Sequence, residues 1–340
     1  MGPFAKIKAI STQFWPPPPT FTEPDVASGS QDGKVFMVTG GNAGLGYELC
    51  KILFRSGATI YMAARSKERA EAAIQSIKDS YPEIAQPDRL KFLHLDLSDL
   101  ESVRQAARLF AEQESKLDVL WNNAGIGANA VKYGDRTVQG SEILMGIHCV
   151  AALLFAQLLL PQLKAAAAQG NTLSRVVWMS TVLVDTSAPK DGIELSAIDT
   201  GIESRIENYA ASKAGVWILS REFARRYGQD GILSVAMNPG SLDSGSFRGT
   251  PRIPLFLMRL TILHKPVFGA YTMLYAGLSR EITRENNGIF VYPWGRLVPD
   301  HAVVRQDILK AMESEEKGGK ALGEKLWAWC ESRWSIESVT

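Results

Sequence analysis

Cysteine is scarce in this chain. Three occur in 340 residues, Cys50, Cys149 and Cys330, scattered without paired spacing and each inside a segment with helical pattern. Neither a disulfide framework nor a zinc site follows from such spacing, and a reducing compartment, the cytoplasm, is expected. Charge of one sign is lacking too: 37 Lys and Arg against 36 Asp and Glu leave a net +1, which argues against a nucleic-acid or anionic-membrane partner. No apolar run reaches the roughly 18 residues needed to span a bilayer. The N-terminus has neither the apolar core nor the small-residue cleavage site of a secretory signal. Met1-Gly2 does not start a myristoylation motif, because Lys6 stands where Ser or Thr is required. Internal repeats are absent, and Pro16 to Pro19 is the one low-complexity run. With 46% hydrophobic residues the chain has enough apolar surface for a large core.

The order of elements is legible from the pattern. Residues 1–32 read as an N-terminal arm in which Phe14-Trp15 anchors and Pro16 to Pro19 forces an extended run. Capture of a domain that reads proline-rich ligands is the lesser alternative. Lys34 to Thr39 reads as a strand, followed by Gly40-Gly41-Asn42-Ala43-Gly44-Leu45-Gly46 and an amphipathic helix from Tyr47 to Arg55. Strand, glycine loop and helix is the setting in which backbone N–H groups receive a pyrophosphate, so Gly40, Asn42, Gly44, Leu45 and Gly46 are candidate cofactor residues. A second strand, Thr59 to Ala63, ends at Arg65, where NAD enzymes usually place an acidic side chain for the ribose 2′-hydroxyl. Arginine suits a 2′-phosphate instead, and NADP(H) is the expected cofactor. The helix Lys67 to Ser80 leads to a strand Leu90 to Leu95, with Asp96 and Leu97 at its C-terminal end assigned to the adenine. Asp118 to Trp121 reads as a fourth strand running into Asn122-Asn123-Ala124-Gly125, where small residues leave room for ribose and nicotinamide. Alternating strands and helices of this kind predict an α/β fold, a doubly wound parallel sheet of Rossmann type.

Tyr209 and Lys213 share one face of a long helix that ends near Tyr227. An adjacent ammonium favours the phenolate, and lowering a phenol pKa by roughly three units corresponds to about 4 kcal/mol. The pair is therefore a candidate proton shuttle.

Taken in order, Thr39-Gly40-x-x-x-Gly44-x-Gly46, Asn122-Asn123-Ala124-Gly125, Tyr209-x-x-x-Lys213 and Asn238-Pro239-Gly240 resemble the short-chain dehydrogenase/reductase family. The resemblance covers about Lys34 to Tyr292. The flanks, Pro19 to Glu23, Asn286-Asn287-Gly288, Pro293 to Arg296 and Trp327-Ala-Trp329-Cys330, are similar to a fungal branch with members in secondary metabolism. The resemblance implies that Tyr209 exchanges the proton with the substrate oxygen, while Lys213 holds the nicotinamide ribose and depresses the Tyr209 pKa. It also implies a hydroxyl that orients the carbonyl. Ser180 and Thr181 both end the preceding strand, and alignment puts Thr181 where the usual serine stands. In the helix Gln139 to Leu163, His148 occupies the place of an asparagine that supports a water relay. It either relays protons with altered pH dependence or merely props the helix. Ala124, Gly125, Pro239, Gly240 and Ser244, the last in place of a common threonine, are the implied nicotinamide contacts.

The implied activity is NADP(H)-dependent ketone or aldehyde reduction, or its reverse, on a hydrophobic small molecule. A non-redox isomerase, cyclase or dehydratase on the same scaffold is the alternative, and a nucleotide-binding regulator is the last one. Val182 to Asn208 is expected to form an excursion at the site mouth, and residues 245–264 an apolar lid. A single domain over 33–300 is expected to carry a C-terminal helical extension over 301–340, its Trp327, Trp329 and Trp334 packing the last helix onto the body. The family commonly pairs through the helices matching Gln139 to Leu163 and Tyr209 to Tyr227, so the chain is expected to be a monomer or a homodimer.

Overall fold

The computed structural model of the chain describes residues 2–84, 86–169, 173–243, 245 and 251–335. The N-terminal arm begins with a helix, α1 (Pro3–Phe14), which is not anticipated from the sequence. Proline at its start is compatible with helix, since the first N–H groups have no intrahelical partner. The extended run begins after it, at Pro16. There follow β1 (Val35–Thr39), α2 (Gly44–Phe54), β2 (Thr59–Ala64), α3 (Lys67–Ser80), β3 (Leu90–His94), α4 (Leu100–Gln113) and β4 (Val119–Asn122). The alternation ends each strand at one edge of the sheet and starts each helix there. Ser66 caps α3 by accepting from the Arg69 N–H, and Asp99 caps α4 by accepting from the Glu101 N–H.

The next helix is not regular. Short α-helical turns α5 (Ile143–Met145) and α6 (Ala152–Leu158) are joined by a π-helical stretch, Gly146–Ala151. Then come α7 (Leu160–Ala168), β5 (Ser174–Met179), α8 (Leu183–Ser187), α9 (Arg205–Tyr227), β6 (Ile232–Met237), α10 (Arg252–Thr261) and α11 (Pro266–Leu278). The chain closes with the strands β7 (Phe290–Tyr292) and β8 (Arg296–Val298) and the helices α12 (Gln306–Met312) and α13 (Leu322–Ser335).

The eight strands form one sheet in the order β3-β2-β1-β4-β5-β6-β7-β8. All pairs are parallel except β7 with β8. β1 and β6 are buried along their whole length, as strands with helices on both faces must be, and this explains their largely apolar composition. One core lies between the sheet and the α4, α5–α6 and α9 side, around Phe110, Phe155, Trp178 and Trp217. The other lies on the α2, α3 and α11 side, around Phe36, Trp121, Leu49 and Met273. Strand order reverses between β1 and β4, and ligands of open α/β sheets bind at the strand ends beside such a reversal. Among the described residues no single helix is long and apolar enough to cross a membrane. The bent pair Ile143–Leu158 and Leu160–Ala168 passes on length and composition, but its Leu144, Val150, Leu153, Phe155 and Leu163 belong to the core.

Candidate active site

Two cavities meet at the C-terminal edge of the sheet. The first, about 350 Å³, is lined by Gly40, Asn42, Gly44 and Leu45 from the β1–α2 loop and by Arg65 beyond β2. Asp96 and Leu97 line it beyond β3, and Asn123, Ala124 and Gly125 beyond β4. Gly46 stands behind the loop rather than in the cavity. A Cβ there would lie 2.5 Å from the Gly40 carbonyl oxygen and 2.7 Å from Asn123 Nδ2, so glycine is what allows α2 to start against β4. Asn123 Nδ2 donates to the Thr39 carbonyl at 2.8 Å, and the Ala124 N–H donates to Thr39 Oγ1 at 2.9 Å, tying the ends of β1 and β4 together.

Ala43 is the N-cap of α2 and brings no capping side chain, and the first turn carries no acidic residue. The first-turn N–H groups of α2 thus face the cavity without a side-chain acceptor, an arrangement suited to an anion. At the far end Arg65 is joined by Arg69, one turn into α3. Neither guanidinium has a hydrogen-bond or ion-pair partner among the described residues. Arg69 carries no motif signal of its own in the sequence; it comes beside Arg65 because α3 starts immediately after the β2 end, with Ser66 as its N-cap. Asp96 is held in place by Ser98, whose N–H and hydroxyl both donate to its Oδ1.

The second cavity, about 330 Å³, shares Leu45, Asn123, Gly125 and Ile126 with the first. Tyr209, Lys213, Ser180, Thr181, Pro239 and Gly240 line it, together with Phe14, Met179, Leu183, Leu242, Met258 and Ile262. Val182, Leu183 and Ile206 come from the segment between β5 and the Tyr209 helix. Ser244 lies outside the described residues, as do 246–250 of the expected lid. Met258 and Ile262, on and just beyond α10, reach the cavity, while Ile253, Phe256, Leu257 and Leu260 point outward.

The two hydroxyls after β5 are used differently. Ser180 is buried and donates to the Lys213 carbonyl at 3.0 Å. Thr181 Oγ1 accepts from the Leu183 N–H at 3.3 Å, which leaves its own proton for a ligand. Lys213, 3% exposed, donates from Nζ to the Met179 carbonyl at 3.0 Å. Its Nζ stands 5.8 Å from the centre of the Tyr209 ring.

Burial is the leading influence on both members of the Tyr209–Lys213 pair. Burial pushes the phenol up to about 12 and pulls the Lys213 ammonium down to about 8, because a poorly solvated wall favours the neutral form of each.

His148, in the π-helical stretch, lines neither cavity. Its Nε2 accepts from the Ile126 N–H at 3.2 Å, so Nδ1 carries the proton and donates to Ser212 Oγ at 2.9 Å. Ser212 in turn donates to the Tyr209 carbonyl at 2.8 Å. Burial, then the Lys213 charge, holds the His148 pKa well below its ordinary value. The ring meets Tyr209 edge-on at 5.7 Å. A Cβ on Gly125 would lie 2.9 Å from His148 Nε2 and 3.4 Å from Lys213 Nζ, so glycine is needed where the two cavities join.

The short chain dehydrogenase family model matches residues 34–184. A short-chain dehydrogenase/reductase of Pestalotiopsis fici is 44% identical over 331 residues, 97% of this chain and 98% of that protein. The chain belongs to the short-chain dehydrogenase/reductase family. A relative from Phomopsis amygdali is 39% identical over 98% of both chains. Among solved structures, an uncharacterised protein of Mycobacterium paratuberculosis is similar with a TM-score of 0.64 and 26% identity, over 92% of this chain and 97% of that one. The NADPH-bound carbonyl reductase from chicken fatty liver, 21% identical with a TM-score of 0.57 over 79% of this chain and 99% of its own, shares the fold. Family membership makes the protein a dehydrogenase/reductase that works with a nicotinamide cofactor on a small substrate.

Proposed function

We propose that the protein uses NADP(H) to reduce a ketone or aldehyde group of a hydrophobic small molecule, or to oxidise the corresponding alcohol, as a step of fungal secondary metabolism. The observation that carries this reading is the junction of the two cavities. An anion-ready dinucleotide cleft with paired arginines opens, at Asn123 and Gly125, into an apolar cavity walled by Tyr209, Thr181 and Lys213. The residues present fit the cofactor: uncapped N–H groups of α2 for the pyrophosphate, Arg65 and Arg69 for a 2′-phosphate, and Asp96 and Leu97 beside the adenine. NADPH, when bound, supplies the hydride.

The chain's own part is to place the carbonyl and handle the proton. Thr181 donates a hydrogen bond from its hydroxyl to the carbonyl oxygen and orients it. Tyr209, held in the neutral phenol form by burial, gives its proton to that oxygen as charge develops there. Lys213 holds the nicotinamide ribose and lies close enough to stabilise the phenolate left behind. His148 fixes the backbone at Tyr209 through Ser212 and remains neutral. Met258 and Ile262 of the α10 region close the apolar side and exclude water. Pro239, Gly240 and Ser244 serve the nicotinamide.

A paired titration with NADPH and NADH, followed by cofactor fluorescence, tests the cofactor. NADPH is expected to bind more tightly, and Arg65→Ala is expected to weaken it about tenfold or more toward the NADH value, as loss of a charge-assisted contact does. Arg65→Ala/Arg69→Ala should remove the preference. Equal binding of both cofactors, or no effect of the substitutions, would sink the NADP(H) assignment.

A further inference from the structure

We infer that the segment Thr12–Trp15 is a fixed wall of the substrate cavity, in which Phe14 selects for bulky apolar carbonyl compounds and Gln13 is the residue that positions it. The nature of the ligand rests on the reductase reading above, whereas the placement of the segment does not.

Most of α1 is solvent-facing, with Phe4 88% and Ile7 64% exposed. A helix held only by apolar packing would turn those residues inward. Instead the buried member of α1 is a glutamine, Gln13, 1% exposed. An amide at that depth is costly unless both of its ends are bonded, and both are. Nε2 donates to Asp185 Oδ2 at 2.7 Å, and Oε1 accepts from Asn238 Nδ2 at 2.8 Å. Asp185 belongs to α8, just past Thr181, and its Oδ2 also accepts from the Tyr292 hydroxyl at 3.1 Å. Asn238 opens the Pro239-Gly240 loop, where its Oδ1 accepts from the Gly240 N–H at 3.0 Å. Gln13 therefore bridges α8 and the Asn238-Pro239-Gly240 loop, both of which lie beside the cavity of the candidate catalytic tyrosine.

Its neighbours are held separately. Arg296 donates to the Thr12 carbonyl at 3.0 Å, His264 Nε2 donates to the Phe14 carbonyl at 2.8 Å, and Trp15 Nε1 donates to the Thr261 carbonyl at 3.0 Å. Four consecutive residues are thus fastened to four parts of the body, and the side chain they present inward is Phe14, in the cavity with Leu183, Leu242, Met258 and Ile262. Such over-determination offsets the entropy of ordering a terminal segment. It is what a specificity element requires, because a wall that moves cannot discriminate by size.

The test compares 1-tetralone with the smaller cyclohexanone. Affinity is read by calorimetry with NADP⁺ saturating, so that no hydride passes, and turnover is read with NADPH. Phe14→Ala should weaken 1-tetralone about tenfold or more, in Kd and in KM, and cyclohexanone by a clearly smaller factor, since the larger ketone loses more apolar contact beyond the carbonyl. Phe14→Leu should recover most of that loss. Gln13→Ala should reproduce the selective loss and speed hydrogen exchange at residues 11–15, which in the unsubstituted protein exchange more slowly than residues 4–8. Equal effects of Phe14→Ala on both ketones, wild-type exchange as fast at 11–15 as at 4–8, or failure of the wild type to bind either ketone would overturn the inference. Phe14-dependent binding without turnover would sink the reductase reading alone.

Discussion

Burial disfavours the charged form of both Tyr209 and Lys213, raising the phenol pKa to about 12 and lowering the ammonium pKa to about 8. The folded state holds the Lys213 pKa near 8, against an ordinary 10.5. Between those values the unfolded chain binds a proton that the folded chain has released, so stability rises with pH through that window, and the penalty is fully present below it. Tyr209 acts with the other sign only above its ordinary value of 10.0, where the unfolded chain ionises first. Comparing wild type with Lys213→Met cancels the Tyr209 contribution. The stability of the wild type relative to the variant should climb by on the order of 3 kcal/mol from pH 8 to 10.5, read from urea unfolding. A flat difference would mean that Lys213 is not desolvated. In turnover, Tyr209→Phe should lower kcat by roughly 10²- to 10⁴-fold while NADPH fluorescence titrates as before, the loss expected for a general acid that holds little of the cofactor. His148, neutral and bonded at both ring nitrogens, should contribute no limb near pH 6.5 to the rate profile.

At the scale of the element, α10 has two apolar faces with different tasks. Met258 reaches the cavity whereas Leu257 is 55% exposed. Met258→Ala should raise KM for an apolar ketone by several-fold, about 1 kcal/mol of lost contact, and Leu257→Ala should leave KM within about twofold. Identical effects would show that α10 swings as a whole over the substrate. The helices and strands that carry the motifs were legible in the sequence because local pattern determines them. The largely apolar run Lys34 to Thr39 marks β1, the pattern Lys67 to Ser80 marks α3, and the glycine loop marks the turn into α2, which begins at Gly44, ahead of the expected Tyr47. What was not legible depends on distant contacts. The ordered end of α1 relies on Asp185, Asn238 and Arg296, hundreds of residues away. The π-helical stretch that places His148 leaves no compositional trace, and the tight connection before β8 uses Trp294 at φ 69°, a conformation no tryptophan advertises. Depth of burial is likewise illegible in the sequence: the spacing of Tyr209 and Lys213 along α9 gives the neighbour but not the desolvation that raises the phenol pKa.

The whole molecule places α13 on the outer side of the helix that carries Tyr209 and Lys213. Trp327, 1% exposed, packs against Phe223 and Tyr227 of α9, with the Arg226 guanidinium 4.4 Å from its ring centre. Gln157 of α6 donates to Glu331 at 3.0 Å, and Arg225 pairs with Glu324 at 3.1 Å. These contacts occupy α9 and α6, the two helices through which the family resemblance implies pairing of subunits. A second copy would have to displace a helix whose Leu322, Leu326, Trp327 and Cys330 are all buried. Removing the largest of these, Trp327→Ala, should cost about 3 to 5 kcal/mol in chemical unfolding, as deletion of a core aromatic does. The unsubstituted protein should therefore run as a monomer in size-exclusion chromatography with light scattering across micromolar concentrations. A dimer would mean that copies meet elsewhere. The outward stripe of Ile253, Phe256, Leu257 and Leu260 is the exposed apolar face large enough to be tested next, because Leu257→Glu would then dissociate the dimer while leaving α13 in place.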